Sequence, residues 1–158
     1  MKFLISFLFC MIIFSREHSL LADPLLDKSI IVNEETRHFY ISGKKLLRKK
    51  YHLFIFFHGL EHKGVISQTT LKQLEQMEKQ GAKHDFLFVF PIGLKGGFPQ
   101  NPESLAWGPD NKNRNNLFIQ NLINALKKEY QIDLILVGGF SNCAYFAYDF
   151  LMQNHQKE

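Results

Sequence analysis

The chain has 158 residues and a formal net charge of +4; 46% of its residues are hydrophobic, 14% aromatic and 22% charged. These fractions describe about one globular domain and exclude a disordered, collagen-like or disulfide-scaffold protein. The small positive excess is spread along the chain, which excludes the basic stripe of a nucleic-acid binder.

The N-terminus reads as a targeting segment. Met1-Lys2 is followed by an apolar run from Phe3 to Phe14, which Arg16-Glu17-His18 ends, and the small Ala22 precedes Asp23. A short positive start and about a dozen apolar residues match a secretory signal peptide, whereas a bilayer span needs roughly 20. The expectation is a signal peptide over 1–22 and an exported body over 23–158, secreted or periplasmic, with no stable membrane span after cleavage. An uncleaved anchor is the competing reading. Loss of Cys10 with the leader leaves Cys143 as the one cysteine, so no disulfide framework forms.

The body alternates strand and helix signals. Thr36 to Ser42 predicts a strand that ends near Gly43, and the basic stretch Lys44 to Lys50 a solvated turn. Tyr51 to Phe57 is almost continuously apolar, which predicts a strand buried on both faces. Leu71, Leu74 and Met77 recur at helical spacing up to Gly81, and Phe86 to Phe90 predicts another buried strand closed by Pro91. A loop rich in Gly, Pro and Asn runs from Ile92 to about Asn113. Beyond it, Phe118, Leu122, Ile123 and Leu126 share a helical face, Leu134 to Val137 predicts a third apolar strand, and Ala144 to Met152 a helix. Strands alternating with helices at this spacing imply a mainly parallel sheet with flanking helices.

Two motifs carry chemistry. Val137-Gly138-Gly139-Phe140-Ser141-Asn142-Cys143 is strand, tight turn and helix, close to the G-x-S-x-G nucleophile elbow, with Cys143 where the last Gly usually sits. Such an elbow needs small residues two before and two after the Ser, because strand and helix approach closely there. The bland alternative is a glycine-rich turn with an N-capping Ser. The second motif is Phe57-His58-Gly59-Leu60, at the end of an earlier buried strand, where esterases of this kind place an oxyanion-hole loop. The expected donors are the backbone N–H groups of Leu60 and Asn142, with Gly59 letting the backbone pass close and His58 supporting the loop. His58 and His62 share i,i+4 spacing, but Gly59 between them argues against a metal-binding helix; no metal and no cofactor are expected.

In this order the chain resembles the polyhydroxybutyrate depolymerase and feruloyl esterase-like branch of the α/β-hydrolases, from about Thr36 to Met152. The landmarks are Arg37-His38-Phe39-Tyr40, Phe57-His58-Gly59, Val89-Phe90-Pro91-Ile92-Gly93, Trp107, and Tyr130 to Asp133 leading to Gly139-Phe140-Ser141-Asn142. The resemblance implies hydrolysis of a small-molecule or polymeric ester through an acyl-enzyme on Ser141, with Trp107 in the loop bordering the cleft or packed within it. Departures are Cys143 for Gly, and Asn115-Asn116 where acidic residues are common.

A triad acid and His should follow the nucleophile in this fold. The only later candidates are Asp149, His155 and Glu158. If they continue the elbow helix, Asp149 and His155 lie ~12 Å and ~21 Å along an axis leading away from Ser141, out of hydrogen-bond reach. The expectation is a partial α/β-hydrolase fold lacking the C-terminal strands, with Leu134 to Val137 as an exposed apolar edge and a missing C-terminal half. Two functional classes stay open: a serine esterase inactive in this form, or a non-catalytic exported binding protein that keeps the scaffold.

Overall fold

The computed structural model describes residues 25–42, 50–81, 84–96, 101–108, 113–141 and 143–155. The expected leader and most of the Lys44–Lys50 stretch lie outside them. A five-stranded sheet is built from β1 (Leu26–Val32), β2 (Glu35–Ile41), β3 (Tyr51–Phe57), β4 (Phe86–Pro91) and β7 (Ile132–Gly139), in the order β1-β2-β4-β3-β7. A two-residue pairing of β5 (Leu94–Lys95) with β6 (Leu105–Ala106) stands apart from it. The helices are α1 (Gln68–Gly81), α2 (Arg114–Glu129) and α3 (Cys143–His155). No described helix is long and apolar enough to cross a membrane.

The sheet is mixed. β3 runs parallel to β4 and to β7, as right-handed strand–helix–strand units require, whereas β1, β2 and β4 pair antiparallel. The sequence pattern does not announce β1, because Asp27, Lys28 and Ser29 dilute its apolar residues. It forms as half of a hairpin whose two-residue turn, Asn33-Glu34, has positive φ at both positions (49° and 67°). That geometry matches the twist of the paired strands.

The two faces of the sheet are covered unequally. On one, Leu53, Ile55, Phe57, Val89, Ile135 and Val137 pack against Phe118, Ile119 and Leu122 of α2 and Cys143, Ala147 and Phe150 of α3. On the other, α1 sets Leu74 against Phe88 and Phe90 of β4, with Phe54 and Phe56 half-covered beside them. β3 is therefore buried and half-buried in strict alternation, rather than buried on both faces as its apolar run suggests. Leu122 is fully buried in the main cluster. Leu122→Ala is expected to cost about 2–5 kcal/mol, the usual range for a large core truncation, read as a lowered urea midpoint with unchanged slope.

Candidate active site

The site is assembled by strand ends. β3 and β7 stay in parallel register up to Phe57 opposite Gly139, and the Phe140 N–H donates to the Phe57 carbonyl at 3.2 Å. The segment His58–Leu60 and the Phe140–Ser141 turn consequently leave the sheet side by side. A Cβ placed on Gly59 would lie 3.4 Å from the Phe140 ring, so the two segments touch.

Ser141 occupies the left-handed region, φ 61°, and is exposed. A non-glycine residue held there stores strain of order 1–3 kcal/mol, a feature that clusters at functional sites. The turn closes through Cys143 N–H to Phe140 O (3.2 Å) and Ala144 N–H to Ser141 O (3.1 Å), which launches α3 directly from the bend. A capping serine normally holds extended backbone, and this one does not.

The elbow is tight on one side. A Cβ on Gly139 would stand 2.6 Å from the Cys143 carbonyl oxygen and 2.8 Å from its carbon. Cys143 fits two residues beyond Ser141 because its side chain turns into the core. There the thiol bonds to the Trp107 backbone, and burial pushes its pKa up to about 12.

His58 is buried and engaged at both ring nitrogens. Its Nε2 accepts the Gly93 N–H at 3.0 Å. The Nδ1–H consequently donates to the Gly59 carbonyl at 2.6 Å, which fixes the neutral tautomer. Burial holds its pKa below the usual 6.5, against smaller opposing effects from the Gly59 bond and the Glu61 charge. The residue ties the loop after β3 to the loop after β4, and no ring nitrogen is left to act as a base. Glu61 continues the job: it exchanges backbone hydrogen bonds with Leu105 and is itself buried. Its carboxylate accepts from the Ser67 N–H at 3.1 Å and from the Thr70 hydroxyl, at the start of α1. Nothing in the sequence pattern marks Glu61, since one acid in a loop has no periodicity.

Other expected residues fall as follows. Leu60 is partly exposed at the tip of the same loop. Asn142, the second expected oxyanion donor, lies outside the described residues. Trp107 comes to this end of the sheet but is only 3% exposed. Its ring packs on Phe57 (4.7 Å between centroids), Phe146 (5.2 Å) and His58 (5.7 Å), so it braces the loops from beneath. Asn115 and Asn116 are buried at the start of α2: Asn115 accepts from the Arg37 guanidinium at 3.0 Å, which also lies over the Phe118 ring. Asp149 and His155 sit along α3, which runs away from Ser141 as the helical rise predicts. Among the described residues no cluster of three or more His, Cys, Asp or Glu could hold a metal ion. A groove of about 510 Å³ at the same end of the sheet is lined by Arg37, His38, Tyr40, Gly93, Lys95 and Leu105, on the β2–β4 side and without Ser141.

No protein-family model matches the chain, and no curated protein does. Two solved structures are similar in fold. A thermostable esterase superposes at a TM-score of 0.57 with 18% identity, over 85% of this chain and 39% of its own. A CE1 ferulic acid esterase from Anaeromyces mucronatus, solved with ferulic acid, superposes at 0.50 with 17% identity, over 80% of this chain and 52% of its own. The fold is that of an α/β-hydrolase in part: a mixed sheet with flanking helices. This chain spans about two-fifths to half the length of those two esterases.

Two outcomes are expected. Gly139→Ala forces the start of α3 off the strand and should cost about 1–3 kcal/mol as overpacking, measured by urea unfolding. For His58, a pKa lowered in the folded state means that the unfolded chain binds the proton more readily. The neutral ring's contribution is then complete above pH 6.5 and lost as the pH falls below it. Thermal stability should drop between about pH 7 and pH 5, with a shallower drop in His58→Gln.

Proposed function

We propose that the chain is the nucleophile-bearing part of an exported serine esterase, of the polyhydroxybutyrate depolymerase and feruloyl esterase-like kind. The Ser141 hydroxyl attacks the ester carbonyl, and the backbone N–H groups of Leu60 and Asn142 hold the developing oxyanion. The alcohol then leaves with a proton, and water releases the acid from the acyl-serine. Removing one such oxyanion donor typically costs about 3 kcal/mol of barrier. One observation carries this reading: a left-handed, exposed Ser141 between a buried strand and its helix, against the loop that follows the neighbouring strand. The esterase neighbours support ester chemistry, and the apolar run after Met1-Lys2 supports export.

Neither His58 nor the acid and His of α3 serve Ser141 as base and acid in this reading. His58 is spent on structure, and α3 carries Asp149 and His155 away. The same two facts favour the second reading, a scaffold that binds without turnover.

A fluorophosphonate probe separates the two. Slow labelling confined to Ser141, absent in Ser141→Ala, is expected, together with negligible hydrolysis of p-nitrophenyl esters by the chain alone. Labelling spread over other serines, or unchanged by Ser141→Ala, would overturn the esterase reading.

A further inference from the structure

Leu60 lies between two residues that are each tied to the rest of the fold. Before it, the His58 ring bonds Gly59 and Gly93. After it, Glu61 forms an isolated antiparallel bridge with Leu105: the Glu61 N–H donates to the Leu105 carbonyl at 3.0 Å, and the Leu105 N–H returns a bond at 2.8 Å. One short stretch serves both ties, since Trp107, just beyond Leu105, packs under His58. The Leu60 N–H itself has no acceptor among the described residues. Its aim is set by its neighbours and not by a bond of its own.

The Glu61 side chain adds a further hold, at the start of α1. Ser67 caps that helix, its Oγ accepting the Thr70 N–H at 3.2 Å. In an ordinary capping box an acid or amide at the position of Thr70 would reach back to the N–H of the capping serine. Thr70 has no such group to offer, and the carboxylate comes from Glu61 instead. Its Oε2 accepts the Ser67 N–H at 3.1 Å, and its Oε1 accepts the Thr70 hydroxyl. The box is completed from within the loop that follows β3, which fastens that loop to α1. The turn between them is tight: Lys63 and Gly64 both have positive φ (64° and 65°), and a Cβ on Gly64 would lie 3.2 Å from the Glu103 carbonyl oxygen. Glu61 is 6% exposed, and a carboxylate that deep is held by its hydrogen bonds. Capping alone needs neither burial nor a bridge to β6; the residue next to Leu60 has both.

We propose that Glu61 is a positioning residue for the oxyanion hole, and that by completing the cap of α1 it fixes the direction of the Leu60 N–H. This rests on the esterase reading, in which that N–H meets the developing oxyanion. Glu61 touches neither the ester nor Ser141; it acts through Leu60. A group displaced by about 1 Å can cost about a hundredfold in rate, so holding the donor in place is worth a dedicated buried side chain.

The test uses the purified full chain, isotopically labelled for amide spectra, and a fluorophosphonate probe, whose phosphoryl oxygen takes up charge where an ester's carbonyl oxygen would. Three variants separate reach from charge. Glu61→Gln keeps the reach and loses the charge, Glu61→Asp keeps the charge and is one methylene too short, and Glu61→Ala loses both. Labelling of Ser141 should slow by about tenfold or more in Glu61→Ala and Glu61→Asp at unchanged probe affinity, and stay within about threefold of the original rate in Glu61→Gln. The Leu60 amide should exchange faster in the first two variants and return to its original rate in the third. Should Glu61→Ala not fold, Thr70→Val, which removes one donor to the carboxylate at similar volume, should act in the same direction. Unchanged labelling and an unchanged Leu60 amide, with faster exchange confined to the first turn of α1, would overturn the proposal and leave Glu61 a helix cap. Slow labelling in Glu61→Gln would overturn it too, by putting the effect on charge. If Ser141 takes no label in the original chain while the Leu60 amide responds as described, the positioning stands and the esterase reading falls. Selective labelling of Ser141 that no Glu61 variant changes gives the reverse.

Discussion

The parallel register of β3 and β7 is the constraint on which the site depends. With Phe57 level with Gly139, both chains leave the sheet at the same height, and the backbone that follows each has one neighbour available, the other. The 3.2 Å bond from Phe140 to Phe57 carries the ladder one residue past the formal strand end. A one-residue slip would turn Ile135 and Val137 out of the core and separate the Ser141 turn from Gly59. The core on the α2–α3 face therefore sets the site's geometry, because it penalises any other register.

From that starting point the elbow is a problem of space. The backbone must reverse into α3 within a few residues, which puts the Cys143 carbonyl where a side chain on Gly139 would be. The conflict is with backbone on the helix side, which explains an asymmetry in the motif. The position two before the serine has to be glycine, whereas the position two after it can hold a modest side chain that turns inward. Cys143 does so, gaining core contacts and a bond to the Trp107 backbone. Its departure from the usual glycine thus leaves the turn intact. The strain sits at Ser141, where reorganisation is limited by a helix on one side and, on the other, a strand held to β3 along its length.

Legibility in the sequence follows from periodicity. β3, β4, α1 and α2 were readable because their apolar residues recur at strand or helix spacing, and the observed bounds fall within a few residues of the expected ones. β1 was not readable, since it covers an edge and its residues are mostly exposed or half-buried. The strand, tight turn and helix around Ser141 were legible because glycine and serine types are dictated by local geometry. Glu61 and the double engagement of His58 were not, because each depends on loops brought together from distant parts of the chain. Trp107 shows the limit from the other side: an aromatic in a loop signals importance, but only packing decides whether the ring faces a cleft or a core.

The continuous apolar run of β3 is instructive for the same reason. Phe54 and Phe56 are as apolar as Leu53 and Ile55, and in a doubly covered parallel sheet all four would be buried. Here only the second pair is. Apolar surface left in water costs roughly 25 cal/mol per Å² relative to burial, so Phe54 and Phe56, half-buried beside Leu74, Phe88 and Phe90, contribute less than the fully buried pair. Leu134 and Leu136 of β7 are half-buried on the same face, level with His52 and Phe54. At the other side of the sheet β1 is likewise an outermost strand, with Leu26 and Ile31 exposed.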